Sequence, residues 1–256
     1  MITNIKPMIN KHSNNTHGNN VMKKMMPILG AVLLAATTSV SFAAPVTFSD
    51  TQKYWPSWQN GTADDGVDLI GTPEIFGGTA DFMNGFLKSV KIKYDNVNSF
   101  PSLTAGDLFI NVGSDSYWDY VVTSGGNIYS FGANTFSSQK GVNDGAYTMS
   151  SASGGFRENH PVAYNTGSGL GTLLGTTATV TNPGFGTVGN QTIKFDSLNL
   201  AAGYGSQLTL AWAPSCANDV LYEQINSPVP EPASLALLGT GLVGLAKFRK
   251  KATRKS

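Results

Sequence analysis

Residues 90–94 read Val90-Lys91-Ile92-Lys93-Tyr94, apolar and cationic in strict alternation. Period-two order gives an extended chain one apolar and one wet face, whereas a helix would spread both kinds of residue around its circumference. Ile193 and Phe195 repeat the pattern against Lys194 and Asp196, and Leu208, Leu210 and Trp212 alternate with Gln207, Thr209 and Ala211. Residues 107–112, 118–123, 127–131 and 177–181 add runs rich in β-branched and aromatic side chains. Turn signals punctuate them at Ser124-Gly125-Gly126, Asn143-Asp144-Gly145 and Asn182-Pro183-Gly184. Many short strands with frequent turns predict an all-β fold, an antiparallel β-sandwich or jelly roll. Composition agrees: 13% charged residues and 29 glycines leave little with which to build long surface helices. The span 79–87 admits a short stretch of helix, and no solenoid or propeller repeat is visible.

The formal charge of +1 hides a segregation. Residues 44–228 hold seven basic and fifteen acidic residues, a net of −8, and the other ten basic residues lie at the two ends. An acidic body excludes nucleic acid as a partner, because phosphates must be met by Lys and Arg. The single cysteine, Cys216, rules out an internal disulfide framework and leaves a buried thiol or a link to another chain.

The ends read as topology signals. Residues 1–21 are a polar, Asn-rich extension, or the product of an upstream start. Residues 22–43 have the form of a signal peptide: Lys23 and Lys24, an apolar run over 28–40, then Ser41-Phe42-Ala43 with cleavage expected after Ala43. The body, 44–228, follows as the β-sandwich. Residues 229–256 begin Val229-Pro230-Glu231-Pro232, continue as an uncharged apolar run over 233–246, and end in Lys247, Arg249, Lys250, Lys251, Arg254 and Lys255. An apolar helix placed there halts translocation as a transmembrane segment, and the basic stop-transfer cluster stays inside. The run is shorter than a full span, which suits a transient anchor.

The triplet Pro230-Glu231-Pro232, the apolar segment and the basic end together resemble the PEP-CTERM sorting signal. The resemblance implies a Gram-negative source and an exosortase as partner, a membrane transpeptidase-like enzyme that cuts near the triplet. It also implies export to the cell surface or beyond, and an association with exopolysaccharide and biofilm. Residues 212–219, Trp-Ala-Pro-Ser-Cys-Ala-Asn-Asp, resemble the last strand and Cys-Gly-Asn-Asp turn of such surface proteins, with Ala217 in place of the glycine.

Little in the body suggests catalysis. His160 is its one histidine, read as a surface loop residue, so neither a catalytic triad nor a His-based zinc site has its parts. The Gly184/Gly186/Gly189 and Gly239/Gly241/Gly244 strings lack the strand–turn–helix setting of a nucleotide site. Asp64, Asp65 and Asp68, with Asp115 and Asp119, form a candidate calcium site on loops. Among the aromatics, Trp118 fits core packing best. Trp55 and Trp58, around Pro56, fit it least and are the candidate glycan-binding residues. The expectation is a non-catalytic exported surface or matrix protein that binds glycan. The alternatives are a structural surface domain without a specific ligand, or a secreted polysaccharide hydrolase using paired carboxylates.

Overall fold

The computed structural model describes residues 43–51, 55, 58, 73–96, 101–139, 143–150, 159–229 and 241–242. All lie in the compact unit formed by residues 39–256. The extension 1–21 and, apart from Ala43, the expected signal peptide lie outside the described residues. The fold is all-β, and every strand pairing is antiparallel.

In chain order the strands are β1 (Val46–Phe48), β2 (Glu74–Met83), β3 (Phe86–Asn96), β4 (Leu108–Val112), β5 (Tyr120–Val122), β6 (Asn127–Ser130) and β7 (Tyr147–Met149). They continue as β8 (Pro161–Tyr164), β9 (Thr172–Thr177), β10 (Thr179–Thr181), β11 (Gly189–Asp196), β12 (Leu200–Ala201), β13 (Gln207–Trp212) and β14 (Leu221–Asn226). One sheet runs β1-β2-β3-β11-β10, with β12 also on β3. A second runs β14-β13-β4-β5-β6-β9, and β7 pairs with β8 alone.

The alternation in β3 does what period two requires. Val90, Ile92 and Tyr94 are fully buried, while Lys91 and Lys93 stand on the wet face. Ile193 and Phe195 of β11 lie opposite Ile92 and Val90 and enter the same core. From the second sheet, Leu108, Ile110, Val122, Ile128, Leu208, Leu210 and Trp212 close that core.

The second sheet is buried on its other face as well. Phe109, Val121 and Ala211 join a second core with Trp55, Trp58, Trp118, Phe136, Tyr147, Val162 and Tyr164. This is why β4 reads Leu-Phe-Ile-Asn-Val with four buried positions in succession. Burying both alternating sets is worth roughly 1.5–3 kcal/mol per large apolar side chain, so a continuous apolar run is what a doubly covered strand demands. The molecule is thus a sandwich with a third layer, part of which is the β7–β8 pair.

The short helix admitted over 79–87 is corrected. That span is the hairpin joining β2 to β3, with Met83 paired to Phe86 across Asn84-Gly85. Both turn residues have positive φ, 54° and 77°, which is the geometry that matches the right-handed twist of the flanking strands.

Candidate functional site

Residues 75–78, Ile-Phe-Gly-Gly, disturb the ladder between β2 and β3. Ile75 pairs with Tyr94 and Gly77 with Lys93, so Phe76 is an extra residue without a partner across the ladder. Gly77 has φ +90°, and a Cβ there would sit 2.2 Å from the Phe48 carbonyl oxygen, so only glycine fits. A bulge of this kind re-aims the side chain beside it. Phe76 is 48% exposed, a large apolar ring in solvent.

Around it lies a groove of about 590 Å³ lined by Phe76, Lys93, Tyr94, Asn190, Gln191 and Thr192. Thr192 lies directly across the ladder from Lys93. The neighbouring lysines are engaged: Lys91 Nζ is 3.3 Å from Asp81, and Lys194 pairs with Asp196. That ion pair and the Ser197 N–H hold the Asp196 carboxyl below its ordinary pKa. Lys93 has no ion-pair partner among the described residues. The arrangement offers one stacking ring, two amides, a hydroxyl and an ammonium without an ion-pair partner among the described residues. A larger groove of about 770 Å³ lies beside Asp81, Lys88 and Asp196, but its wall includes Ala43, which the expected signal cleavage removes.

The residues singled out in the sequence fall elsewhere. Trp55 and Trp58, read as solvent-facing sugar platforms, are 0% and 2% exposed. Trp58 N–H donates to the Trp55 carbonyl (3.0 Å), and both indoles lie inward. The Trp55 ring meets Phe109 edge-on at 4.8 Å and Trp118 at 5.6 Å. Trp58 Nε1 donates to the Ser138 carbonyl at 3.1 Å. No ring face is left for a pyranose, and these two tryptophans are core. Trp118, 1% exposed, is core as its alternation with Tyr120 predicts.

His160 is also corrected. It is 1% exposed, packed edge-on to Trp55. Its Nε2 accepts the Trp55 N–H (3.2 Å), and Nδ1 faces the Pro161 carbonyl at 3.0 Å. That pattern fits a neutral ring with its proton on Nδ1, a structural bracket between β8 and residue 55.

Asp115 and Asp119 come together at the β4–β5 connection, though both carboxylates already serve the main chain. Asp119 Oδ2 accepts the Val112 N–H at 2.6 Å, while Asp115 Oδ1 accepts the Tyr117 N–H (3.0 Å) and Asn111 Nδ2 (3.2 Å). Burial raises the Asp119 pKa against the pull of the Val112 bond, and the nearby Asp115 charge adds to the rise. No group of three or more potential metal-binding side chains occurs among the described residues. Asp64, Asp65 and Asp68 lie outside the described residues, as do Pro230, Glu231, Pro232, Lys247, Arg249, Lys250 and Lys251.

The turn at 214–219 explains a residue choice. Ala217 N–H donates to the Pro214 carbonyl (2.8 Å), and Ala217 itself has φ +46°, a left-handed conformation that favours glycine. Asp219 Oδ1 then accepts the Val220 N–H at 2.8 Å, and Oδ2 accepts the Ile75 N–H, tying the turn to β2. Relief of left-handed strain in Ala217→Gly is worth about 1–2 kcal/mol, against roughly 0.8 kcal/mol for a lost buried methyl. The variant is therefore expected to match or slightly exceed wild type in urea denaturation. Ala211→Gly, equally buried but on a regular strand, should lose about 1 kcal/mol.

Of the tail, Gly241 and Leu242 are helical, and Leu242 is exposed. No helix among the described residues is long and apolar enough to cross a membrane. No curated protein and no solved structure matches the chain. A family model of the PEP-CTERM protein-sorting motif matches residues 228–251, from the end of the sandwich through the apolar run into the basic cluster. The apolar and basic order of that segment carries the physical requirements of export and transient anchoring. The chain bears a PEP-CTERM sorting motif, the mark of an exported protein handled by an exosortase at the membrane.

Proposed function

We propose that the chain is a non-catalytic protein of the surface matrix whose sandwich binds an acidic exopolysaccharide in the groove beside Phe76. The observation that carries this reading is the exposed ring of Phe76 next to Lys93, which has no ion-pair partner among the described residues. An aromatic face stacks on the C–H face of a pyranose, and Asn190, Gln191 and Thr192 supply donors and acceptors for ring hydroxyls. An ammonium without an ion-pair partner among the described residues favours a sugar carrying a carboxylate or sulfate. Export with transient anchoring at the C-terminus, which the sorting motif supports, is what a role in holding matrix glycans requires. The role in biofilm follows from holding that polymer, and turnover of it is not expected.

A glycan array probed with the exported protein tests the proposal. Binding to uronate-containing polymers is expected, weakened roughly tenfold by Phe76→Ala. Lys93→Gln should weaken acidic glycans while sparing neutral ones. Absence of binding to every matrix sugar would sink the idea. Binding lost on adding a chelator would do so as well, by moving the site to the acidic loops around Asp64 and Asp115.

A further inference from the structure

Each sheet of a sandwich has two edges, and here the two ends of the sandwich are treated differently. At one end β1 packs beside β14. There Glu223 of β14 accepts from both the N–H (3.1 Å) and Oγ1 (2.9 Å) of Thr51. That end is covered by chain and carries a charge, two of the devices that keep an edge from pairing.

Among the described residues the other end has neither. β9 is the edge of the second sheet and pairs with β6, while β10 is the edge of the first and pairs with β11. The chain passes directly between them at Ala178, whose N–H donates to the Gly126 carbonyl at 2.8 Å. Of the six residues of β9, Thr-Leu-Leu-Gly-Thr-Thr, all but Leu174 are exposed, and Leu173 is 55% exposed. Thr179 and Thr181 of β10 are exposed too. Residues 159–193 contain no Asp, Glu, Lys or Arg. Neither edge strand contains proline.

We propose that the β9–β10 rim is a self-association seam, at which a second copy of this chain adds its own β9 antiparallel. The second sheet then continues from one protomer into the next about a two-fold axis. Backbone groups of an edge complement a copy of themselves, and threonines facing threonines across an antiparallel pair are favourable. Charge selects the partner and the place. Bodies of net charge −8 repel one another, and β9, which like its partner β6 carries no charged residue, is where two of them meet without setting like charges side by side. This inference is independent of glycan binding.

Sedimentation velocity of the protein purified from cells that export it tests the seam. Wild type is expected to shift from monomer to dimer with concentration, held or strengthened by high salt, which screens the repulsion between acidic bodies and leaves the main-chain contact in place. Leu173→Lys combined with Thr176→Lys should weaken the dimer tenfold or more. By net charge alone added lysines reduce repulsion, so weakening reports the edge itself. Val188→Lys, at a side chain 59% exposed and off both strands, should leave association intact. A far-ultraviolet circular dichroism spectrum checks the double variant, and Thr176→Lys alone repeats the test if that spectrum changes. A wild type that stays monomeric overturns the proposal. So does a dimer untouched by the edge lysines, or one dissolved by salt, which would instead set the lysine-bearing face against an acidic surface.

Discussion

Trp55→Ala is expected to destabilise the protein by roughly 3–5 kcal/mol, the range for emptying a large aromatic site in a closed core. Trp55 sits among Phe109, Trp118, Tyr147 and His160, with no solvent to fill the gap. Against a total stability of about 5–15 kcal/mol, this is a large fraction. Conservative variants sharpen the test. Trp55 Nε1 finds no hydrogen-bond acceptor among the described residues, so Trp55→Phe removes a buried unpaired donor while it trims volume. The two effects oppose, and a net change within about 1 kcal/mol is expected. Trp118 Nε1 donates to the Tyr147 hydroxyl at 2.9 Å, and that hydroxyl donates in turn to the Ser137 carbonyl. Trp118→Phe loses the first bond of this relay as well as volume, and about 2 kcal/mol should go with it. Denaturant midpoints for the three variants decide the matter. Equal losses for the two Phe variants would show that hydrogen bonding does not separate them. Loss of glycan binding in Trp55→Ala with an unchanged midpoint would return that residue to the surface role its sequence setting suggests.

The same contrast shows what could be read in the chain beforehand. Strands with one wet face were legible, because Lys91 and Lys93 mark solvent as plainly as Val90 and Ile92 mark core. The third layer was not. A strand covered on both faces loses its alternation, and Ala211, small enough to pass for a surface residue, lies in the second core. Pro56 between them makes Trp55 and Trp58 read as loop residues, yet sequence does not say that the two indoles lie inward against a second face. Asn84-Gly85 is the opposite case, a hairpin signal in plain view whose apolar neighbours also suit a helical turn. The Phe76 groove had a signal too. Paired glycines inside a strand pattern mark bulges, and Gly77-Gly78 directly follows the ring that is turned outward. Asp115 and Asp119 show the limit of reading acidic clusters. Whether a loop carboxylate faces a cation or a main-chain N–H is set by tertiary geometry that no spacing encodes.

Asp107 is where burial and charge meet most sharply. It stands just before β4, 4% exposed, and its two oxygens join separate parts of the fold. Oδ1 accepts the Ser124 N–H at 2.8 Å, and Oδ2 accepts the Tyr164 N–H of β8 at 2.9 Å. Its own N–H donates to the Val162 carbonyl at 3.0 Å, completing the link between the second sheet and the third layer. Asp107→Ala orphans two main-chain donors, one of them buried, and is expected to cost about 3 kcal/mol. The charge adds a pH dependence. Desolvation raises the Asp107 pKa from 3.8 to about 6, although both main-chain bonds pull it down. Between those values the folded chain holds a proton that the unfolded chain has released. The stability tied to this proton is fully present below pH 3.8 and is lost as pH rises through 6. The loss amounts to something on the order of 3 kcal/mol. Other carboxylates act in the opposite sense, Asp196 among them, so the wild-type curve alone does not isolate the effect. Asp107→Asn does. It cannot ionise and it turns an amide donor toward one of the two N–H groups, so it begins less stable than wild type at low pH. Its deficit should then narrow as pH rises from 4 to 7, because only the wild type loses stability through this group. Urea midpoints for both proteins across that range give the difference directly. A difference that stays constant would mean that the buried carboxyl titrates alike in the folded and unfolded chains.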